Sequence, residues 1–127
     1  MEDQQNTEKR LLVAEDNSIN LLIVTHFLEA CGYKFDTVEN GLDCLKTFSE
    51  NSYDMLLTDI SMPGMDGVQV ATEIRGMANA KRDVPIIAMT ANVEIAAAER
   101  FVAAGINEVL AKPFSKADLQ RCIEKWL

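Results

Sequence analysis

The feature that most constrains this chain is a recurrence. The short apolar runs are Leu11-Leu12-Val13-Ala14, Met55-Leu56-Leu57, Val84-Pro85-Ile86-Ile87-Ala88-Met89 and Val109-Leu110-Ala111. With the weakly alternating stretch Tyr33 to Val38, they return roughly every 22 residues, and a helical pattern separates each pair. Unbroken apolar runs of this length suit strands covered on both faces, as in parallel sheets. Parallel neighbours need a crossover long enough to hold a helix, and such crossovers are right-handed almost without exception. The pattern therefore predicts a three-layer, doubly wound α/β domain with five parallel strands and five helices. The weak second run is placed at an edge. Pro85 is tolerable because it opens its strand.

The helices carry their own signals. Asn17 or Ser18 can cap the first, and Ile19, Leu22, Ile23, His26, Phe27 and Ala30 recur at helical spacing before Gly32 closes it. Asn40-Gly41 turns the chain into a short helix marked by Leu42, Leu45 and Phe48. Val68, Val70, Ala71 and Ile74 mark a third helix that ends near Gly76, ahead of a polar, basic-tinged connection from Met77 to Asp83. Val93 to Ala104 forms an alanine-rich fourth helix stopped by Gly105. Ser115 opens the last helix, where Ser115-Lys116-Ala117-Asp118 reads as a capping box with Asp in the usual Glu or Gln position. Leu119, Cys122, Ile123 and Trp126 follow on that helix. Phe27, Phe48, Phe101 and Trp126 are expected to pack on the sheet, and Met62 and Met65 form either a partner-facing patch or gap filler. The polar stretch 1–9 is expected to be a disordered tail ahead of a domain over 10–127.

Bulk properties narrow the function. Twelve basic against 20 acidic residues give a net charge of −8, which disfavours direct binding to nucleic acid and to anionic lipid. Three widely spaced cysteines, Cys31, Cys44 and Cys122, make neither a disulfide framework nor a zinc site and suit a reducing cytoplasm. His26 is the single histidine, without the convergent partners a catalytic role needs. No run is long enough to span a membrane, and the N-terminus is no signal peptide. A cytoplasmic location is expected.

Four strands end on a polar group able to do chemistry: Glu15-Asp16, Asp59, Thr90 and Lys112. In a doubly wound parallel sheet those ends share one side, so residues spread along the chain converge there. Three carboxylates gathered within about 4 Å would repel by several kcal/mol per pair at an effective dielectric near 20. A hard divalent cation relieves this, and Mg²⁺ needs few protein carboxylates while keeping waters that a phosphate can replace. Metal, carboxylate, lysine and threonine together suit phosphoryl transfer, and a carboxylate can itself be the nucleophile. No P-loop, GxGxxG or GxSxG occurs.

The acid pair Glu15-Asp16, the segment Asp59-Ile60-Ser61-Met62-Pro63-Gly64-Met65-Asp66-Gly67, Thr90-Ala91 and Lys112-Pro113-Phe114 together resemble the receiver domain of two-component response regulators, from about Arg10 to Leu127. Glu15-Asp16-Asn17, Met89-Thr90-Ala91-Asn92 and Ala104-Gly105 are most similar to receivers of hybrid histidine kinases. The resemblance implies a flavodoxin-like sandwich with strand order 2-1-3-4-5. It implies that Asp59 accepts a phosphoryl group from a phosphohistidine of a histidine kinase or histidine phosphotransfer protein. Asp16, Asp59 and the Ser61 carbonyl would bind Mg²⁺, Glu15 acting largely through water. Lys112 would pair with the phosphoryl oxygens, aimed by a cis bond to Pro113, and Thr90 would bond the phosphoryl group after transfer. A downstream protein would bind the fourth-helix and fifth-strand face. Such a domain catalyses only its own phosphorylation and dephosphorylation. Ser61 and Asn92 occupy positions that tune the lifetime of the phosphorylated state. Val109 departs from the resemblance, which implies an aromatic residue there, so any signal runs through the Thr90 loop or the fourth helix.

Two other readings compete. A Mg²⁺-dependent small-molecule phosphatase would also use an aspartyl-phosphate, with Asp66 as a nominated general acid, but it requires a substrate cap for which the chain has no insertion. A flavin binder would need a Ser/Thr-rich phosphate loop after strand one, where Glu15-Asp16 stands instead.

Overall fold

The computed structural model describes residues 9–91 and 95–127. The expected tail, apart from Lys9, lies outside the described residues, as do Asn92, Val93 and Glu94. Five strands, β1 (Arg10–Ala14), β2 (Lys34–Val38), β3 (Met55–Asp59), β4 (Ile86–Thr90) and β5 (Glu108–Ala111), form one sheet in the order β2-β1-β3-β4-β5. Every pairing is parallel. Five helices alternate with them: α1 (Ser18–Cys31), α2 (Gly41–Glu50), α3 (Gly67–Arg75), α4 (Ile95–Ala103) and α5 (Lys116–Trp126). A short 3-10 turn, Ala80–Asp83, fills the polar connection before β4.

Alternation along the central strands sorts the core into two layers. Leu12, Leu56, Ile86 and Ala88 face one side with Cys44 and Phe48 of α2, Val70, Ala71 and Ile74 of α3, and Phe101 of α4. Leu11, Val13, Met55, Leu57, Ile87 and Met89 face the other with Val24 and Leu28 of α1 and Leu119, Cys122 and Ile123 of α5. β1, β3 and β4 are buried almost end to end, because both faces are covered. Met62 and Met65 pack against the first layer, so this pair fills gaps.

One expectation about α1 is corrected. Its spacing pointed to Ile19, Leu22, Ile23, His26, Phe27 and Ala30 as the packing face, and Phe27 does pack on the core, yet Ile19 and Leu22 are each 69% exposed and Ile23 43%. His26 and Ala30 are exposed as well. The buried face is Val24 and Leu28, flanked by Leu21, Phe27 and Cys31. The helix is apolar nearly all round, so periodicity alone could not choose which stripe meets the sheet. Asn17 is the cap, accepting from the Ile19 and Asn20 N–H groups, and Gly32 ends the helix at φ 84°. Leu42 of α2 also turns outward, 60% exposed.

Two polar anchors lock the end of the sheet away from the strand carboxyl termini. Arg75, from the last turn of α3, donates to the carbonyls of Gly105, Arg82 and Val84 and to Asn107 Oδ1. Asn107 in turn accepts from Ile86 N–H at 2.7 Å, extending the β4–β5 edge. On α5, Trp126 Nε1 donates to Glu108 Oε1 at 2.7 Å, and Lys125 lies 3.2 Å from the same oxygen. Burial pushes the Glu108 carboxyl up, but these two bonds and the Lys125 charge outweigh it and hold the group below its ordinary value.

Arg75→Ala strips four backbone and side-chain acceptors of one shared donor. It should destabilise the fold by about 2–4 kcal/mol, seen as a lower urea midpoint at unchanged slope. Because the Glu108 carboxyl is depressed, its contribution is present above the ordinary value of 4.5 and lost as pH falls below it. Glu108→Gln should therefore be less stable than the parent at neutral pH by about 1 kcal/mol. The gap should close in acid, as followed by Trp126 fluorescence during denaturant unfolding.

Candidate functional site

The chemical side chains meet at the carboxyl ends of β1, β3, β4 and β5, flanking the sheet's switch in strand order. β1 runs straight into Glu15, which is fully buried, while Asp16 one residue on is exposed because the chain has begun its turn toward Asn17. β3 ends on Asp59, 7% exposed. β4 ends on Thr90, also 7% exposed, and its carbonyl accepts the Lys112 N–H at 2.9 Å, tying β4 to the residue after β5. The peptide bond from Lys112 to Pro113 is cis, as expected.

At the centre stands the Lys112 ammonium, 2.8 Å from Glu15 Oε1 and 3.2 Å from Asp59 Oδ1. Asp59 Oδ1 also accepts the Ile60 N–H at 2.9 Å, and Glu15 Oε2 accepts the Asn17 N–H at 3.2 Å. Complete burial pushes the Glu15 carboxyl above its ordinary value, against the pull of Lys112 and the Asn17 N–H, and the Asp59 charge adds to the rise. Burial pulls Lys112 down, but its bond to Glu15 and the charges of Asp59 and Glu15 raise it overall, so the ammonium stays charged. One cation thus serves two acids of a three-acid group.

Ligand oxygens of Glu15, Asp16 and Asp59 all lie within 4.8 Å of one another. An all-oxygen donor set with excess negative charge suits a hard divalent cation. Both Glu15 oxygens already accept bonds, which leaves Asp16 and Asp59 the better placed to ligate directly. The open cleft beside them is lined by Asp16, Ile60, Ser61, Met62, Pro63, Asp66 and Arg100. A second pocket, on the α1 side, is lined by Asn20, Ile23, Val24, Ala91, Lys112, Pro113 and Phe114.

Glu15, Asp16, Asp59, Thr90, Lys112 and Ser61 therefore lie at one rim. Asp66, nominated as a general acid, instead caps α3: it accepts from the Gln69 N–H at 2.8 Å while Gln69 bonds back to its N–H. His26 takes no part, lying exposed on α1. Val109 is half-buried at the β5 edge against the first core layer. Arg100 was not singled out from sequence, because an exposed cation on a helix carries no local sign of which cleft it borders.

The response regulator receiver domain family matches residues 11–124. The hybrid signal transduction protein dokA of Dictyostelium discoideum is 36% identical over 98% of this chain and 7% of its own length. The chain spans 21% of the transcription factor SKN7 of Candida albicans and 6% of the hybrid signal transduction histidine kinase B of Dictyostelium discoideum. The receiver domain of a sensor histidine kinase from Pseudomonas aeruginosa, with a magnesium ion coordinated in its active-site cleft, superposes with a TM-score of 0.86 at 37% identity. That comparison covers 93% of this chain and 96% of the other. The Saccharomyces cerevisiae Ssk1 receiver, solved in complex with the histidine phosphotransfer protein Ypd1, gives a TM-score of 0.83 at 25% identity, covering 93% of this chain and 88% of that one. A family match over nearly the whole length, on a sheet of the expected strand order with its acids and lysine at one rim, means that this chain belongs to the response regulator receiver domain family.

Proposed function

We propose that this receiver takes a phosphoryl group onto Asp59 from the phosphohistidine of a histidine kinase or histidine phosphotransfer protein, in a Mg²⁺-dependent step. The observation that carries this is the Lys112 ammonium, bonded at once to Glu15 and Asp59 beside the exposed Asp16. Mg²⁺ would be held by Asp16, Asp59 and the Ser61 carbonyl, with Glu15 acting through water, and would neutralise charge on the transferring phosphoryl oxygens. The Ile60 N–H and Lys112 both bond to Asp59 Oδ1 and so orient the carboxylate. A carboxylate oxygen of Asp59 bonds to phosphorus as the P–N bond breaks. The bonding pair passes to the imidazole nitrogen, and the ring, protonated at its other nitrogen, leaves neutral. Lys112 then pairs with a phosphoryl oxygen, and Thr90 donates its hydroxyl to another. This is a local charge event that biases the Ala91 loop and α4. The half-buried Val109 brings no aromatic ring to that change, and the α4–β5 face, where Val102 is 71% exposed, meets the downstream protein.

The donor docks on α1. Ile19, Leu22 and Ile23 form an exposed apolar stripe, and Ile23 also lines the pocket that holds Lys112, Ala91 and Pro113. That stripe thus borders a pocket lined by Lys112, whose ammonium lies 3.2 Å from Asp59. A small-molecule phosphatase is disfavoured because its nominated acid, Asp66, is engaged as a helix cap. Among the described residues no helix is long and apolar enough to cross a membrane. A cytoplasmic site of action completes the proposal.

Incubation with phosphoramidate and Mg²⁺ should label the chain with one phosphoryl group per molecule, stable to acid and labile to base. Asp59→Asn should abolish the label, and many turnovers of a small phosphate ester would overturn the assignment. Leu22→Asp should slow transfer from a phosphorylated histidine phosphotransfer protein by about tenfold or more while leaving labelling by phosphoramidate unchanged.

A further inference from the structure

The loop from Ser61 to Asp66 carries the carbonyl assigned above to Mg²⁺, and the inference below rests on that assignment. Glycines crowd this loop from two sides. A Cβ placed on Gly41, the first residue of α2, would lie 1.8 Å from the Met65 carbonyl oxygen and 2.6 Å from its carbon. A Cβ on Gly67, the first residue of α3, would lie 2.4 Å from the Asp59 carbonyl oxygen. Real Cβ atoms essentially never come closer than 3.0 Å, and here the opposing atoms are backbone. At Met65 the loop backbone thus runs through space that a side chain on Gly41 would fill, and the end of β3 does the same beside Gly67.

Neither side of the Gly41 contact yields easily. α2 is pinned at its start, since Asn40 Oδ1 accepts the Asp43 N–H at 2.8 Å and Asn40 Nδ2 donates to Asp43 Oδ2 at 2.9 Å. The loop is tied by Gly67 N–H to the Ile60 carbonyl at 2.9 Å and by Met65 N–H to the Pro63 carbonyl at 3.0 Å. Met62 is sunk in the core layer. Gly41 does not need a left-handed backbone, so its requirement is steric. In a helix, alanine would otherwise be preferred over glycine by about 1 kcal/mol.

We propose that Gly41, which touches no atom of the acid cluster, is a positioning residue for the metal: it lets α2 brace the loop that presents the Ser61 carbonyl. Alanine there moves the Met65 carbonyl by more than an ångström, and the tied loop passes the displacement toward Ser61. Mg²⁺ demands near-octahedral ligands at about 2.0–2.1 Å, whereas Ca²⁺ accepts longer bonds and looser geometry. The signature is therefore a loss of selectivity between the two ions, which general destabilisation does not produce.

The test is calorimetric titration of the whole chain with Mg²⁺ and with Ca²⁺, for wild type, Gly41→Ala and the neighbouring surface change Leu42→Ala. Gly41→Ala should lose about tenfold in Mg²⁺ affinity and less than about threefold in Ca²⁺ affinity, with Leu42→Ala unchanged in the ratio. Should Gly41→Ala fail to fold by circular dichroism, Gly41→Ala with Met65→Gly keeps the intruding methyl while letting the loop yield, and the same drop in ratio is expected. A folded variant with the wild-type ratio overturns the role of Gly41 alone. Wild type that binds no Mg²⁺ overturns the metal assignment on which it rests.

Discussion

The site depends on one ammonium group shared by two acids. Lys112 reaches Glu15 at 2.8 Å and Asp59 at 3.2 Å across chain separations of 97 and 53 residues. Without it, a fully buried glutamate and a nearly buried aspartate would face each other unscreened, an arrangement that costs several kcal/mol unless paired. The pairing leaves the cluster still negative, because Asp16 has no share of Lys112. That residual charge is what a hard divalent cation can offset. The same charge imbalance that sets the acids against one another suits them to a cation.

The sheet makes this meeting reproducible. Parallel strands buried on both faces hold their carboxyl ends at one level, and the two anchors at the far end, Arg75 and Glu108, tie β4, β5, α3 and α5 together. These hydrogen-bonded anchors thus sit at the opposite end of the sheet from the acid cluster. At the rim, the Ser61–Asp66 loop is packed against α2 and capped into α3. α1 contributes differently: it packs with Val24 and Leu28 and turns a second apolar stripe to solvent beside the site.

Strand number, helix alternation, the capping box at Ser115 and the identity of the rim residues were all legible in the chain, because each is written in local pattern: apolar runs, cap residues, and polar groups at strand ends. One reading failed for a physical reason. The α1 face was misassigned because Ile19, Leu22 and Ile23 are as apolar as Leu21, Val24 and Leu28, and hydrophobicity does not say what a side chain touches. Asp66, which a phosphatase reading could have nominated, stands before Gly67 as a helix cap, and the capping bonds are what formed.

The amino-acid sequence by itself determined the architecture and the cast of the site. Periodicity and crossover length point to a doubly wound parallel sheet, the resemblance carried by the strand-end motifs supplied its strand order, and a strand's end is marked by the residues that follow it. Tertiary structure alone decided how those residues share their charge and what they are pressed against. Glu15 rather than Asp16 holds the lysine more closely, α1 shows an apolar face to solvent, and the Met65 carbonyl fills the space beside Gly41. These are contacts between segments distant along the chain. Their energies depend on separation in space, and a one-dimensional pattern does not carry that quantity.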